Sequence, residues 1–442
     1  MLNEEFVTRM QALLRDEYPA FEAALEQPQR RGVRWNRQKG SEEELKRWFP
    51  QLEKSPFSQT GWYLEEAEGL HPLHLSGHIY LQEPSASAPA ELLEVQPDSI
   101  VLDMCAAPGS KTSQLAEKLE SGLLVSNEID PRRAQVLLSN AERMGSANQI
   151  ITNMDTKTLC AQFPQTFDRI LLDAPCSGEG MMKKHDEARE GWSFAKVRGC
   201  ALIQEELLEN AYGALAPDGI LVYSTCTYAP EENEERIEKF LADHPDMELL
   251  EPGLDFVHEG RLPKTRRIYP MDGGEGQFLA KMKKTGGTKK ELPELKNQTL
   301  PPEAAQFMKE QLPEGFPYYA LEKGRDSVRV YGLNHPFVRF RKGKVLRQGV
   351  YLGEVVKKRF EPAHAFFMSA AYAQNGRHRL ELSLEELDRF LHGEAILKEC
   401  PRGFTAVGYE NMLVGFGKSD GRQLKNRLPR GLRLLPGSHV HL

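Results

Sequence analysis

The sequence predicts an α/β protein: a doubly wound parallel sheet with a small α+β region before it and a β-rich region after it. Three observations lead to this fold class. Between residues 91 and 285, apolar segments of strand length alternate with helical segments, which is typical of a parallel sheet covered by helices. Residues 1–90 mix short helical and strand-like segments. Residues 303–442 alternate apolar with basic or polar residues, and the Lys-, Gly-, Glu- and Pro-rich segment 286–302 before them is predicted to be a linker.

The composition is that of an ordinary globular protein. Of the 442 residues, 40% are hydrophobic and 27% are charged, which allows a sizeable core. No run approaches the roughly 18 apolar residues of a membrane helix, and residues 1–5 lack the basic start of a signal peptide. Six cysteines are too few for a disulfide scaffold, so we expect reduced thiols, a cytoplasmic location and no membrane partner.

The charge is unevenly distributed along the chain. The net charge of −7 by itself argues against a nucleic-acid partner. From Arg325 to Leu442, however, 21 Lys and Arg stand against 11 Asp and Glu, and the rest of the chain has 36 against 53. An acidic body with a basic tail fits a protein that docks a polyanion through one region. A solvated basic surface without any partner fits the same distribution.

The elements follow from periodicity and turn residues. Ser41 followed by Glu44 predicts a helix start, and the Pro- and Ser-rich stretch 84–89 is either a connector or a helix N-terminus. Helical spacing is present within residues 1–40. The strands predicted before residue 90 are 30–36, 61–64 and 78–81. The strands predicted in the centre are 99–103, 122–128, 149–152, 167–173, 220–224, 267–269 and 276–282, with helices from Pro131, over 194–215 and over 231–241. In the tail, strands 327–331, 338–341, 349–353, 405–409 and 412–417 and a helix over 383–392 predict a small β-barrel-like module.

The central region opens with a strand, a tight turn and a helix, from Val101 to Thr112. In an open parallel sheet, small ligands bind where the carboxyl end of a strand meets a helix N-terminus. The turn has neither the G-x-G-x-x-G pattern nor a G-x-x-x-x-G-K-[ST] phosphate loop. A phosphate cofactor is therefore poorly supported, and a nucleoside without phosphates, such as S-adenosyl-L-methionine, fits better.

Acidic residues follow four of the predicted strands: Asp103, Glu128, Asp155 and Asp173. An acid about 20 residues beyond the first loop binds ribose hydroxyls in such folds, and Glu128 has this position. The alternative is that these acids are helix caps and turn formers.

Two cysteines, Cys176 and Cys226, lie at or near strand ends and are expected at the same edge of the sheet. A thiolate is a strong nucleophile. Addition of a thiolate at C6 of a pyrimidine makes C5 nucleophilic enough to accept a methyl group, and a base must then remove the C5 proton. The remaining cysteines are interpreted as small buried hydrophobic residues, Cys105 less firmly than the others. Those residues are Cys105, Cys160, Cys200 and Cys400.

Three segments resemble the motifs of the Sun-type RNA 5-methylcytosine methyltransferases, and within them the RsmF-like bacterial 16S ribosomal RNA enzymes. The segments are Cys105–Thr112, Asp173–Met181 and Ser224–Glu234, and the resemblance covers residues from about 30 to 285. It implies a Rossmann-like class I methyltransferase sheet, S-adenosyl-L-methionine as cofactor, and a PUA-like RNA-binding module in the tail.

The resemblance also implies roles for individual residues. Cys226 is expected to bond C6 of the base, Cys176 to assist release of the product, and Asp173 to contact the cytosine edge. Glu128 is expected to hold the ribose of the donor and Asp155 its adenine. The full set expected around the donor is Cys105, Ala106, Ala107, Pro108, Gly109, Ser110, Lys111, Glu128, Arg133, Asp155 and Asp173.

The expected substrate is cytosine in 16S rRNA, in the decoding region, within a small-subunit particle or its precursor, and the expected oligomeric state is a monomer. Alternatives are the same chemistry on tRNA or 23S rRNA, and a non-catalytic RNA-binding factor of ribosome assembly. Basic residues near the motifs and in the tail are candidate RNA contacts. These candidates are Arg34, Lys183, Lys184, His185, Arg339, Arg341, Lys342 and Lys344.

Two further patterns are interpreted as structural. His71, His74 and His78 lack a cysteine or acidic partner at suitable spacing, so no metal site is predicted. The acidic run from Glu231 to Glu238 is predicted to be a solvated helix face, favoured by its position at a helix N-terminus.

Overall fold

A computed structural model describes residues 2–64, 69–184 and 186–442 of the chain. His185, one of the predicted RNA contacts, lies outside the described residues. The predicted fold class is confirmed: a mixed α/β sheet forms the centre, an α+β region precedes it and a β-rich region follows it. Within the part of the chain that is described, none of the helices is both long and apolar enough to cross a membrane.

The N-terminal region packs helices around a four-stranded antiparallel sheet with the strand order β2-β3-β1-β4. Ser41 caps α3 as predicted, because its hydroxyl accepts a hydrogen bond from the Glu44 amide at 3.2 Å. The stretch 84–89 is helical: a 3-10 turn over Pro84–Ser87 leads directly into α5. The elements are α1 Glu4–Leu14, α2 Tyr18–Glu26, β1 Gly32–Trp35, α3 Glu42–Trp48, β2 Glu53–Lys54, β3 Gly61–Tyr63, α4 Pro72–Leu75, β4 Ile79–Gln82 and α5 Ala88–Leu92.

The central region alternates strands and helices as predicted, and its last strands form an antiparallel extension. Its elements are β5 Ile100–Asp103, α6 Ser110–Ala116, β6 Leu123–Asn127, α7 Pro131–Met144, β7 Gln149–Asn153, α8 Thr156–Cys160, β8 Phe167–Asp173, α9 Asp186–Glu190, α10 Phe194–Ala214, β9 Leu215–Thr225, α11 Glu234–Asp243, β10 Met247–Leu250, β11 His258–Glu259, β12 Thr265–Ile268 and β13 Gln277–Lys284. Strand β9 begins earlier than predicted, because the Pro217–Gly219 turn is an irregularity inside the strand.

The parallel core of this sheet is β7-β6-β5-β8-β9, and β13 adds to β9 in the antiparallel direction. Its strands are buried along most of their length because both faces are covered by helices. Val101 and Leu102, on opposite faces of β5, are both fully buried. The carboxyl ends of the five parallel strands therefore meet at one edge, which we call the ligand edge.

The C-terminal region forms two further sheets, with strand orders β14-β15-β17-β18 and β19-β21-β22-β23-β20. Its elements are α12 Pro302–Gln311, β14 Tyr318–Lys323, β15 Ser327–Leu333, β16 Lys344–Gln348, β17 Val350–Val356, β18 Arg359–Pro362, α13 His364–Met368, α14 Ala370–Asn375, β19 Arg379–Glu381, α15 Leu384–Leu391, β20 Ile396–Leu397, β21 Gly403–Tyr409, β22 Met412–Ser419 and β23 Gln423–Asn426.

One strand of the tail joins the central sheet, which the sequence did not predict. The strand predicted at 338–341 is wrong: within these described residues Val338 makes a single bridge, to Glu294. The strand lies instead at β16 and pairs antiparallel with the edge strand β7, with Lys344 opposite Asn153. The predicted linker 286–302 runs as irregular chain that is anchored to the central region, with Leu292 buried in its core.

Candidate functional site

The two predicted thiols meet at the ligand edge. Cys176 follows β8 and Cys226 follows β9, and their Sγ atoms are 3.3 Å apart. Because β8 and β9 are parallel neighbours, with Asp173 paired to Ser224, the loops that leave them run side by side. The hydrogen bond to Cys226, burial and the nearby Glu232 carboxyl all raise the pKa of the Cys176 thiol well above its ordinary value.

Hydrogen bonds lock the two cysteine loops together. Ser177 and Thr227 share a hydroxyl–hydroxyl bond of 2.8 Å, and the Gly180 amide donates to the Cys226 carbonyl at 2.9 Å. The buried Glu179 carboxylate accepts from the Thr227 hydroxyl and the Tyr228 amide, both at 2.9 Å. The relative position of the sulfur atoms is thus fixed by their neighbours in the chain rather than by a covalent bond.

Asp173 lies beside the thiol pair and is held by three donors. Lys111 Nζ binds Oδ2 at 2.7 Å, and Ser224 Oγ and Gln277 Nε2 bind Oδ1 at 2.7 and 3.3 Å. Burial alone would lower the pKa of Lys111, but the Asp173 carboxylate raises it above its ordinary value, so this ammonium stays charged. The Asp173 side chain remains 29% exposed, which leaves it accessible to a ligand.

The turn after β5 packs closely against helix α7. Gly109 has φ 110°, and a Cβ atom at this position would lie 3.2 Å from Leu137, so the turn favours glycine. Arg133 Nη2 donates to the Ala107 carbonyl at 2.7 Å and Asn140 Nδ2 to the Pro108 carbonyl at 2.9 Å. Helix α7 therefore fixes the shape of this turn from the side.

The four strand-end acids have four different surroundings. Asp103 is buried and bonds the Thr112 hydroxyl at 2.6 Å, and burial raises its pKa to about 7, so it braces the turn from inside. Asp155 is exposed and caps α8 through the Thr158 amide at 2.7 Å. Asp173 is partly exposed and Glu128 has an oxygen without a hydrogen bond among the described residues, whereas Asp155 uses one oxygen as the helix cap of the alternative interpretation and keeps the other exposed.

Glu128 supplies the observation that best fits a nucleoside donor. Its side chain is 2% exposed, and its Oε1 accepts from the Asp130 amide at 2.9 Å. Its Oε2 is buried and has no hydrogen-bond partner among the described residues, with Arg133 Nη1 at 3.4 Å outside hydrogen-bond geometry. A buried carboxylate oxygen without a hydrogen bond is costly, and the Arg133 ion pair offsets part of that cost, so Oε2 retains capacity to accept a hydrogen bond from a ligand.

The remaining predicted donor residues surround the same turn. Cys105 is part of its wall, and burial raises the pKa of the Cys105 thiol far above its ordinary value, which disfavours its thiolate form. Ala106, Ala107 and Gly109 are buried, whereas Pro108 is exposed. Ser110 begins α6 at the end of the turn.

Burial affects two predicted RNA contacts: the prediction is wrong for Arg34, and little of the Lys183 side chain is exposed. Arg34 is fully buried: it pairs with Glu117 at 2.9 Å and donates to the Ser110 carbonyl at 3.1 Å. It therefore cannot reach RNA and instead braces the turn after β5. The Lys183 side chain is 8% exposed and lies 3.6 Å from Glu275. The candidates that are exposed are Lys184, Arg339, Arg341, Lys342 and Lys344.

The exposed tail residues lie close to the ligand edge. Lys344 stands opposite Asn153, the last residue of β7. The amides of Arg341 and Lys342 both donate to Gln162 Oε1, at 2.7 and 2.9 Å, which fixes this turn against the central region. We call the segment Arg339–Lys344 the basic turn.

The prediction of a solvated acidic face from Glu231 to Glu238 is wrong for the first turn of this run, although Glu235 and Glu238 are exposed as predicted. Glu232 is fully buried, and Glu234 is buried in an ion pair with Arg267, whose Nε and Nη2 atoms bind it at 2.7 and 2.5 Å. Glu231 is half-buried and pairs with Arg9 of α1 at 2.6 Å. The sequence reasoning missed these residues because their partners come from distant strands and helices, although their position in the Cys226 motif was a signal.

Comparison with known proteins agrees with this geometry. Residues 90–283 match the family described as 16S rRNA methyltransferase RsmB/F, and residues 2–84 match the N-terminal domain of 16S rRNA methyltransferase RsmF. Residues 306–369 match the RsmF rRNA methyltransferase first C-terminal domain, and residues 377–434 match the methyltransferase RsmF PUA domain. Fold and site thus define an RNA methyltransferase with an appended RNA-binding module.

More specifically, the chain belongs to the RsmF family of ribosomal RNA small subunit methyltransferases. It is 32% identical over 470 residues to Ribosomal RNA small subunit methyltransferase F of Vibrio atlanticus (strain LGP32), covering 97% of each chain. It is 35% identical over 407 residues to the protein of that name from Shewanella piezotolerans (strain WP3 / JCM 13877), covering 85% of this chain and 84% of the relative.

Solved structures share the central fold. A methyltransferase homolog protein from Pyrococcus horikoshii superposes with a TM-score of 0.57 at 31% identity, over 64% of this chain and 95% of that one. NSun6 from Pyrococcus horikoshii, solved with SFG, has a TM-score of 0.59 at 21% identity, over 64% and 99%, and shows the same fold. Family and fold support S-adenosyl-L-methionine as the cofactor, as the sequence predicts, and rRNA as the substrate class.

Proposed function

We propose that the chain transfers a methyl group from S-adenosyl-L-methionine to C5 of a cytosine in 16S rRNA, through a covalent bond between Cys226 Sγ and C6. The observation that carries this proposal is the 3.3 Å separation of the Cys226 and Cys176 sulfurs, next to the paired Asp173 and Lys111. As the family resemblance implies, the target lies in the decoding region, within a small-subunit particle or precursor. The chain acts as a monomer in the cytoplasm, where two free thiols this close stay reduced.

The thiols divide the reaction between them. Cys226 Sγ bonds C6, and the electron pair of the C5–C6 double bond becomes available at C5. When bound, S-adenosyl-L-methionine supplies the electrophilic methyl group. Release then requires loss of the C5 proton. The electrons of the C5–H bond re-form the C5–C6 double bond as Cys226 leaves as a thiolate. The C5 proton passes to water, and the Cys176 thiol, 3.3 Å from Cys226 Sγ, assists this step by donating a hydrogen bond to the departing Cys226 thiolate.

Asp173 and Lys111 orient the base and balance charge. The Asp173 carboxylate is fixed by three donors and partly exposed, so it accepts from the exocyclic amino group of cytosine without moving. The charged Lys111 ammonium stabilises negative charge that develops next to the thiols. The base must leave its stack to reach this position.

The donor is held by the turn from Cys105 to Lys111, with Glu128 on its ribose. The buried Oε2 of Glu128, which has no hydrogen-bond partner among the described residues, is the chief support for this assignment. Arg133 lies beside the same carboxylate and shapes the turn. We keep Asp155 as the adenine contact through the carboxylate oxygen that does not cap α8.

We propose the division of the chain that the sequence predicts. Residues 1–90 brace the catalytic loops, 91–285 hold the site, 286–302 connect, and 303–442 contribute RNA binding. The basic turn brings exposed cations to the carboxyl end of β7, so tail and site face the substrate together.

Substitution of each thiol tests the proposal. With 16S rRNA from cells that lack the gene, Cys226→Ala should neither methylate nor form a protein–RNA adduct. Cys176→Ala should form an adduct that survives denaturing electrophoresis, because release is blocked. Cys400→Ala, a thiol of the C-terminal region, is the matched control and should behave as wild type. Free turnover by Cys176→Ala, or an adduct in Cys226→Ala, would refute the assigned roles.

A further inference from the structure

We propose that two consecutive residues, Glu232 and Asn233, are positioning residues that set the separation of the two thiols. Glu232 fixes Cys176 and Asn233 fixes Cys226. The inference rests on the proposed function for the roles of the thiols, and it concerns neither RNA nor donor binding. It replaces the sequence-based interpretation of the first turn of this acidic run as a solvated face.

Glu232 holds the peptide groups on both sides of Cys176. Its Oε2 accepts from the Ser177 amide and from Gln204 Nε2, both at 2.9 Å. Gln204 Nε2 also donates to the Pro175 carbonyl at 3.0 Å. Glu232 and Gln204 are both fully buried, so water does not replace these bonds. The backbone that carries Cys176 is therefore clamped before and after the sulfur-bearing residue.

Asn233 does the same for Cys226 from the next position in the chain. Its Oδ1 accepts from the Thr225 hydroxyl at 2.6 Å, and its Nδ2 donates to the Thr227 carbonyl at 2.9 Å. Asn233 is also fully buried. The amide group uses its acceptor on one side of Cys226 and its donor on the other, which a carboxylate of the same shape cannot do.

A single turn therefore positions both sulfur atoms. Glu232 closes the 3-10 turn Pro230–Glu232, and its carbonyl accepts from the buried Tyr223 hydroxyl at 2.6 Å. Because Glu232 and Asn233 are joined by one peptide bond, a shift of either thiol loop is transmitted to the other. The Glu232 carboxyl also contributes to the high pKa of Cys176, after the Cys226 hydrogen bond and burial, and so helps keep that thiol protonated before release.

Kinetics of substituted enzymes test the inference. Glu232→Ala should lower kcat about 100-fold, the cost of misplacing a reacting group by about 1 Å, with little change in KM. Glu232→Gln should recover most of this loss, because the amide oxygen accepts the same two hydrogen bonds. Glu231→Ala is the matched control: Glu231 lies in the same turn but its carboxylate pairs with Arg9 of α1, and its loss should leave kcat unchanged.

A thiol probe gives a readout that needs no RNA. Phenylarsine oxide condenses with two adjacent thiols, forming two As–S bonds and releasing one water. Wild type and Glu232→Gln should form the bridged product through Cys176 and Cys226, as identified by mass spectrometry. Glu232→Ala and Asn233→Ala should lose it while their circular dichroism stays that of wild type.

The two measurements separate this inference from the proposed function. Wild-type kcat and full arsenical bridging in Glu232→Ala would overturn the inference and leave the proposed function intact. Arsenical bridging that depends on Glu232, in an enzyme whose Cys176→Ala variant forms no adduct with rRNA, would overturn the proposed function alone. If Glu232→Ala does not fold, Gln204→Met removes the bond to Pro175, and unchanged bridging and kcat in that variant would overturn the inference.

Discussion

At the scale of single residues, the four acids at the strand ends differ in which of their carboxylate oxygens the fold uses. Asp103 uses one carboxylate oxygen to bind the Thr112 hydroxyl, and Asp155 uses one to cap α8. Glu128 keeps a buried oxygen without a hydrogen bond among the described residues, 3.4 Å from Arg133 Nη1. Asp173 keeps a partly exposed carboxylate next to the thiols. The chemical assignment thus depends on which oxygens remain free, which the positions of the acids in the sequence do not reveal.

Glu128→Gln should weaken donor binding. The substitution replaces one carboxylate oxygen by an amide group, and one or two ligand hydrogen bonds to a charged group are removed, worth about 1.5–3 kcal/mol each. Titration calorimetry with S-adenosylhomocysteine should therefore show at least about a tenfold higher Kd. Glu120→Gln, an exposed acid at the opposite edge of the sheet, should bind as wild type. Equal affinity in Glu128→Gln would remove this residue from the donor site.

At the scale of elements, the N-terminal region packs against both parts of the site, the turn after β5 and the two cysteine loops. The Arg34 side chain of β1 reaches α6 and its donor turn through Ser110 and Glu117. Helices α1 and α2 cover the catalytic loops, with Phe6 against Trp192 at 5.7 Å and Phe21 against Tyr228 at 5.4 Å between ring centroids. Arg34 was expected at the RNA surface, but its charge is used inside the protein.

Arg34→Met should destabilise the protein and leave RNA binding unaffected. The change leaves the buried Glu117 carboxylate without its ion-pair partner. Breaking a buried ion pair in this way costs about 3–5 kcal/mol. Denaturant unfolding measures this decrease. In Arg34→Met/Glu117→Met no unpaired charge remains, so most of the stability should return. If Arg34→Met, under conditions where it is as fully folded as wild type, showed a weaker salt dependence of RNA binding, Arg34 would be an RNA-binding residue after all.

At the scale of the whole molecule, the tail is built into the central domain. Strand β16 extends the central sheet beyond β7, and Glu142 of α7 binds both Arg347 and His364 of the tail at 2.8 Å. Removal of residues 300–442 would therefore expose a sheet edge as well as remove cations. Substitutions of charge are the cleaner test of what the tail contributes.

The Glu142 cluster makes stability depend on pH. Burial alone would raise the pKa of Glu142, but the bonds to His364 and Arg347 outweigh it and lower the pKa from 4.5 to about 2. Because the folded pKa is depressed, the contribution is present above pH 4.5 and is lost as the pH falls towards 2. It amounts to about 3 kcal/mol. Urea unfolding of wild type and Glu142→Gln should converge over this window, and a constant difference would contradict the assignment.

The basic turn should carry part of the RNA affinity. Changing Arg341, Lys342 and Lys344 together to alanine should lower the slope of log K against log salt by roughly 0.7 for each phosphate group that these cations no longer neutralise. Filter binding of 16S rRNA at several salt concentrations measures the slope. The matched control is alanine at the exposed residues Lys357, Lys358 and Arg359 of the β17–β18 hairpin. An equal reduction in both variants would show that the surface is not localised at the basic turn.

The central fold was predictable because it depends on local periodicity. Strand β5, the turn at Gly109 and the α6 start could all be found from apolar runs and turn residues. The thiol pair was predictable because parallel strands end at one edge. Strand β16 and the clamp at Glu232 could not be found in this way, since each depends on a partner far away in the chain: β7 for the strand, and Gln204 for the carboxylate.

Bisulfite sequencing of ribosomal and transfer RNA tests the central claim most directly. RNA from cells with the gene, without it, and with Cys226→Ala in its place should be compared. The account predicts protected cytosine in the decoding region of 16S rRNA only when the wild-type gene is present. An unchanged 16S pattern, or a difference confined to 23S rRNA or tRNA, would contradict it.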